Sequence, residues 1–342
     1  MAETVGEKAG EEAATDDLSQ TLADIESEKT PEIKEEKDDE PVPPVKDDNE
    51  QLWHGDIEPA AEFEGLLPRI VCWGDSLTVS VDGKSAFPDI LRSLSGCEVI
   101  NYGVEAESAS MIAMREGGVR VNVKATVIPA DTNLIPVFLR TENNGNVHFL
   151  DHGDGGVNPC SISGIEGRLQ KLNGSYYFAR SNKGERIAIE EGTQFKTHGM
   201  NDAKEGDILV IFAGTNDLPD SKSVSNIIGI ERKMLEAADC DKYIIVGLTY
   251  AGGIPEIDKV NEALEKEFGE HFVDIRKYML NYGLADAGIT PTQADKDDIR
   301  KGEIPGSLRR DYVHGNKLYH RLLGEQVYRR MVYLGYLMRE DV

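Results

Sequence analysis

A serine at the tip of a strand is the side chain best placed for chemistry in this sequence. Arg69-Ile-Val-Cys-Trp-Gly-Asp-Ser-Leu-Thr78 is an apolar run that breaks at Gly74 and leaves the Ser76 hydroxyl on the turn that follows. Open α/β sheets gather their sites at the carboxyl ends of their strands. A serine hydroxyl is a weak nucleophile at neutral pH, so it needs a base within hydrogen-bond reach and donors for the oxyanion that forms. Three further segments carry groups of the right kinds. Asn101-Tyr-Gly103 ends a second apolar run, Gly214-Thr-Asn-Asp217 ends a third, and Asp311-Tyr-Val-His314 precedes the last helical stretch. His314 is the candidate base, because a neutral imidazole accepts a proton on one nitrogen while the other donates to a carboxylate. Asp311, three residues away, is the local carboxylate. Taken singly, each residue has a plainer reading: Ser76 and Asp311 as helix caps, Gly103 and Asn216-Asp217 as turn residues, His314 as a surface histidine.

The order of these segments resembles the GDSL or SGNH hydrolases, whose four blocks supply a serine, a glycine, an asparagine and an Asp-x-x-His pair. Ser76, Gly103, Asn216, Asp311 and His314 fall on those blocks in order. The resemblance covers about 63 to 113 and 206 to 338. It implies a catalytic Ser76, His314 and Asp311, with an oxyanion hole made by the Ser76 and Gly103 backbone N–H groups and the Asn216 side-chain amide. Losing one such donor costs about 3 kcal/mol in the barrier, so Asn216 is expected to matter nearly as much as the triad. One position departs from the pattern: the family's second block usually carries another glycine three residues after the first, and here that residue is Ala106.

The elements that would position these groups alternate. Strands are expected to end near Asp75, Gly103, Gly214, Thr249 and Ile275, with helices over 85–94, 223–238, 255–268 and 316–338. Such alternation implies an α/β fold with a mostly parallel sheet covered on both faces. The resemblance implies the same, a flavodoxin-like three-layer α/β/α sandwich (the SGNH hydrolase fold) built from 63–116 and 206–342. Between the second and third strands the pattern changes to period two. Val119-Arg-Val-Asn-Val-Lys-Ala-Thr-Val127 and Arg186-Ile-Ala-Ile-Glu190 alternate, and Asn143-Asn-Gly-Asn and Asn182-Lys-Gly mark turns. Residues 117–205 are therefore expected to form an inserted all-β module. Its junctions lie one element from the loops carrying Gly103 and Asn216, which places it to wall the pocket or simply to pack beside it. It holds no Trp, leaving Tyr176 and Tyr177 as possible contacts to a sugar ring.

Charge divides the 342 residues unevenly. Residues 1–62 carry 21 Asp or Glu against 5 Lys or Arg, so 16 of the 25 net negative charges sit there. With repeated Glu, Asp, Lys and Ala and the segment Pro41-Val-Pro-Pro44, residues 1–60 read as a disordered acidic leader. The acidic excess argues against nucleic acid or anionic lipid as partner. No run reaches the roughly 18 apolar residues a membrane helix needs, so no transmembrane segment is expected. A long acidic leader on such a hydrolase looks like the spacer after a removed signal or lipoprotein anchor. An exported or surface-tethered protein is therefore expected, with a cytoplasmic one as the alternative. Cys72, Cys97, Cys160 and Cys240 read as buried thiols rather than a disulfide framework or zinc site. His148-Phe-Leu-Asp-His152-Gly-Asp154 would suit a metal only on a helix, which its glycine-rich setting disfavours, so neither metal nor cofactor is expected.

The reading that results is a serine esterase or acylhydrolase. It would release a short, acetyl-like group, on a small molecule or a glycan, through an acyl-enzyme on Ser76. The alternatives are an O-acyltransferase using the same triad and a non-catalytic carbohydrate-binding scaffold, and the second of these would require a broken triad.

Overall fold

The structure, a computed structural model, describes residues 67–79, 85–218, 223–250 and 255–337. The acidic leader expected over 1–60 lies outside the described residues. Along the chain, β1 (Ile70–Gly74), α1 (Phe87–Ser95), β2 (Val99–Gly103) and α2 (Ala109–Glu116) come first. Short strands follow: β3 (Val121–Val123), β4 (Thr126–Ile128), β5 (Ile135–Val137), β6 (Leu139–Thr141), β7 (Cys160–Ile162), β8 (Ile165–Leu172), β9 (Ser175–Arg180), β10 (Ile187–Ile189) and β11 (Thr193–Lys196). After α3 (His198–Asp202) the strand–helix alternation resumes with β12 (Ile208–Phe212), α4 (Ser223–Ala238), β13 (Tyr243–Val246), α5 (Pro255–Phe268) and β14 (Phe272–Val273). Helices α6 (Ile275–Asn281), α7 (Gly283–Asp286), α8 (Gln293–Arg300) and α9 (Lys317–Tyr333) complete the described chain.

β1, β2, β12, β13 and β14 form one parallel sheet in the order β14-β13-β12-β1-β2. β1 and β12 are buried at every position, as expected of strands covered on both faces, and both are unbroken apolar runs. From β1 the chain goes first to β2 on one side and later to β12 on the other, so the direction of winding reverses beside β1. Crevices in doubly wound sheets open at that switch point, outside the carboxyl ends of the strands. The Ser76 turn leaves β1 there. Helix α1 packs on α9, and α2 on α4.

Seven of the short strands form an antiparallel sheet in the order β5-β9-β8-β7-β11-β3-β6, and β10 pairs with β4 separately. Their inward residues, among them Val121, Ile162, Phe178 and Phe195, form a second apolar cluster that also takes in Met114 of α2. All described residues fall within one compact unit.

Several elements differ from expectation for local reasons. The run Phe272-Val-Asp-Ile does not end as a strand at Ile275, because the Asp274 side chain accepts from Lys277 N and caps α6. The alternating run 119–127 is two strands, not one: β3 joins β11 and β6, while β4 crosses to β10. The strands β5, β6, β7 and β11 and the helices α3 and α8 are not signalled by periodicity, being three to eight residues long. Tyr176 is not available to a sugar ring. It is 9 % exposed, donates from its hydroxyl to the carbonyls of Val147 and Phe149, and lies under the Lys171 ammonium. The four cysteines are free thiols, with Cys240 only partly buried. His148 pairs with Asp151 and is not on a helix. Among the described residues no group of three or more His, Cys, Asp or Glu is arranged to hold a metal, and no helix is long and apolar enough to cross a membrane.

Candidate active site

The serine is presented by a turn that folds back on its own strand. Asp75 O accepts from both Thr78 N and Val79 N, and Asp75 Oδ1 accepts from Leu77 N, so the turn is closed around Asp75 while Ser76 faces outward. Only glycine fits before it. A Cβ on Gly74 would lie 2.0 Å from Thr78 Oγ1 and 2.7 Å from Phe212 O.

His314 comes from the loop before α9. Its Nε2 lies 2.9 Å from Ser76 Oγ, across 238 residues of sequence. Its Nδ1 lies 2.9 and 3.0 Å from the two oxygens of Asp311. The same Asp311 carboxylate accepts from the backbone N–H groups of Val313 and His314 at 2.9 and 2.8 Å, which makes the loop its own scaffold. Partial burial acts to raise the Asp311 pKa, but those two N–H groups and the imidazole outweigh it and hold the carboxyl down at about 2. The carboxylate therefore stays charged and fixes Nδ1 as the protonated nitrogen, leaving Nε2 to accept from serine. On this geometry Ser76 and His314 can exchange a proton, and Asp311 can stabilise the imidazolium.

The three oxyanion donors expected from the sequence meet different surroundings. Among the described residues Ser76 N has no assigned acceptor. Gly103 N donates to Asn101 Oδ1 at 2.8 Å, an Asx turn at the end of β2, while Asn101 Nδ2 donates to Thr78 O at 2.9 Å. Asn216 lies in a short 3₁₀ turn, Thr215–Asp217. Its Nδ2 donates to Glu107 O at 2.9 Å and makes a long contact of 3.4 Å to Asp75 Oδ2. That second contact is at the weak end of hydrogen-bond distances, which leaves the N–H open to an acceptor in the cleft. Asp217 pins the same turn to α2, accepting from Ala109 N at 2.8 Å.

Above the serine is a cleft of about 340 Å³. Ser76, Asn216 and His314 line it, with Val79, Ala106 and Val313 as its apolar surface and Glu105 and Arg310 as its charges. No residue of 117–205 lines it, so of the two arrangements left open for that region, walling the pocket or packing beside it, the first is not seen. The antiparallel strands sit instead against α2 and the Trp73–Tyr102 side of the parallel sheet, where Gly199 and Gly156 meet those two rings.

Beneath the site is a group of buried acids that sequence reading missed. Burial is the largest influence on Asp75 and lifts it to about 7, against the Leu77 N–H and the Thr215 hydroxyl and with help from Asp217 and Glu107. Burial likewise raises Glu107, Asp217 and Glu231. Arg115 is the cation paired with Glu107, and the two are 0 % and 2 % exposed. Asn101 had a signal, as an Asx residue two positions before a glycine. Glu107 and Arg115 had none, because only the packed structure buries them.

No protein-family model matches this sequence, and no curated protein matches it. Among solved structures, an acetyl xylan esterase is 11% identical, with a TM-score of 0.42 over 76% of this chain and 98% of that one. A member of the lipolytic protein G-D-S-L family from Veillonella parvula DSM 2008 is 14% identical, with a TM-score of 0.37 over 78% and 97%. A peptidoglycan O-acetylesterase is 14% identical, with a TM-score of 0.38 over 79% and 92%. Superpositions at this level decide nothing about chemistry. The parallel sheet and the loop before α9 bring a serine, a histidine and a carboxylate into one hydrogen-bonded line.

Proposed function

We propose that the chain hydrolyses a short-chain, acetyl-like ester carried on a carbohydrate, through an acyl-enzyme on Ser76. The observation that carries this reading is the 2.9 Å contact of Ser76 Oγ with His314 Nε2, backed by Asp311 on Nδ1. Ser76 Oγ attacks the ester carbonyl carbon as its proton passes to His314 Nε2. The carbonyl π electrons move to the oxygen, which in this reading is stabilised by the Ser76 N–H, the Asn216 amide and, once it is released from Asn101, the Gly103 N–H. Collapse breaks the bond to the alcohol oxygen, which leaves with the proton from His314. Water, deprotonated by the same nitrogen, then attacks the acyl-enzyme and returns Ser76 with a carboxylic acid as product.

The cleft supports a short acyl group. Among the described residues, Val79, Ala106 and Val313 are too few to bury a long alkyl chain, each methylene of which would gain about 0.8 kcal/mol in an apolar channel. A polar alcohol is supported by Glu105 and Arg310 at its walls and by Tyr312, 70% exposed beside Asp311, with the Arg309 guanidinium 5.6 Å from its ring. The Asp311 carboxylate is 47% exposed, so water reaches the triad, which favours hydrolysis over acyl transfer to a second alcohol. In the same reading the parallel sheet and its helices are a three-layer sandwich over 63–116 and 206–342, and 117–205 is an inserted all-β module.

The test is covalent labelling together with acetate release. A fluorophosphonate probe should label the protein once, and Ser76→Ala should abolish both labelling and release of acetate from acetylated polysaccharides. Labelling that persists in Ser76→Ala refutes the assignment. Cleavage of long-chain nitrophenyl esters faster than acetyl esters refutes the choice of acyl group.

A further inference from the structure

One buried guanidinium touches the backbone behind one remote oxyanion donor and the side chain of the residue whose carbonyl holds the other. Arg115 Nη1 donates to Tyr102 O at 2.9 Å. That carbonyl belongs to the same peptide unit as the Gly103 N–H, and because the unit is planar, holding its oxygen sets the direction of its N–H. Arg115 Nε donates to both oxygens of Glu107, at 3.0 and 2.8 Å. The Glu107 carbonyl is in turn the acceptor that holds Asn216 Nδ2 at 2.9 Å. The guanidinium also lies 5.3 Å from the centre of the Trp73 ring on β1.

Its remaining polar contact reaches the antiparallel β region. Arg115 Nη1 donates to Gly155 O, and in the other direction Thr197 Oγ1 donates to Arg115 O at 2.6 Å. Gly155 has φ +44°, and a Cβ there would come within 2.7 Å of Arg115 Nη1 and 2.1 Å of Val104 Cγ2. The 153–156 loop is thus shaped around this side chain.

We propose that Arg115 is a positioning residue for the oxyanion hole, and that the β region takes part in catalysis by holding Arg115 through Gly155 rather than by touching substrate. The proposal rests on the reading of Asn216 as an oxyanion donor. A buried ion pair with a missing partner relaxes its surroundings, and displacement of a catalytic group by about 1 Å can cost a hundredfold in rate.

The experiment measures kcat and KM on nitrophenyl acetate for Arg115→Lys, Gly155→Ala, Asn216→Ala and the double variant Arg115→Lys with Asn216→Ala, all in the full chain and each with a thermal melt. Arg115→Lys keeps the charge beside Glu107 but loses the fork. It should lower kcat by about tenfold or more with little change in KM. In the Asn216→Ala background the same substitution should cost several-fold less, because one of the two donors it positions is gone while the Gly103 N–H remains. Gly155→Ala, which displaces the guanidinium from the other side, should lower kcat in the same way. Equal losses from Arg115→Lys with and without the Asn216 amide overturn the proposal, since a general loss of packing would be additive. A folded Gly155→Ala with unchanged kcat overturns the part assigned to the β region, and stands as the test if Arg115→Lys does not fold. If Asn216→Ala alone leaves kcat unchanged, the oxyanion reading of Asn216 falls first and takes this proposal with it.

Discussion

At the scale of single residues, the proposed chemistry depends on one nitrogen of His314 being free to accept a proton. Asp311 secures this at a pKa of about 2, where backbone donors keep it ionised. Replacing it by Asn removes the charge that stabilises the imidazolium and supports the wrong tautomer. Asp311→Asn is therefore expected to lower kcat by a factor of about 10² to 10⁴ with the fold retained. Ala106 is the second residue with a consequence. Its φ is +59°, in the left-handed region that a Cβ disfavours. Ala106→Gly should raise the unfolding free energy by up to about 1 kcal/mol, the relief of strain being partly offset by greater freedom of the unfolded chain. A lower melting temperature would argue against strain at this position.

At the scale of elements, the site is made by strand ends and loop starts that helices hold in place. Helix α9 follows the His314 loop directly, with Asn316 capping it through Leu318 N and Tyr319 N, so the position of α9 sets the reach of the imidazole. It is seated against α1 through Gly324, where a Cβ would lie 2.6 Å from Ile90 Cβ and 3.1 Å from Phe87 O. Gly324→Ala must therefore separate the two helices or strain them. We expect a loss of about 1–3 kcal/mol in stability, read from denaturant unfolding, and a fall in kcat as His314 moves away from Ser76. Unchanged stability would show that this helix pair has slack.

At the scale of the whole molecule, burying acids makes stability depend on pH in an unusual direction. Asp75 at about 7 and Glu116 at about 8 are both raised chiefly by burial. In the folded state they keep protons that the unfolded chain releases near pH 4, so stability falls as pH rises from about 4 through 8. Asp311 works in the opposite sense, and its contribution is lost only as pH falls from about 4 through 2. The melting temperature should thus be highest near about pH 4 to 5. Glu116 is 6% exposed and accepts from Gly118 N at 2.9 Å, a bond that a glutamine oxygen also makes. Glu116→Gln should raise the melting temperature by several degrees at about pH 8, on the order of 2 kcal/mol, and change little at about pH 5. Equal effects at the two values would assign the change to packing instead.

The sequence by itself determined the parts whose signals are local. Unbroken apolar runs at β1 and β12 mark strands buried on both faces, the Gly74-Asp-Ser turn marks where a hydroxyl emerges, and period-two alternation marks the change to antiparallel strands after α2. Four short blocks also carry enough residue identity to nominate Ser76, Gly103, Asn216, Asp311 and His314 before any geometry is known. Tertiary structure alone decided what depends on contacts distant in sequence. The 2.9 Å approach of His314 to Ser76 joins residues 238 apart, and nothing near either of them encodes that distance. The splitting of 119–127 between two sheets follows from which partner strands are nearest in space, and the break at Asp274 follows from a cap that outcompetes the ladder. Arg115 and Glu107 carry no local signal in the sequence. They become the support of two peptide groups behind the site because the β region closes over them and removes the water that would otherwise have solvated both charges.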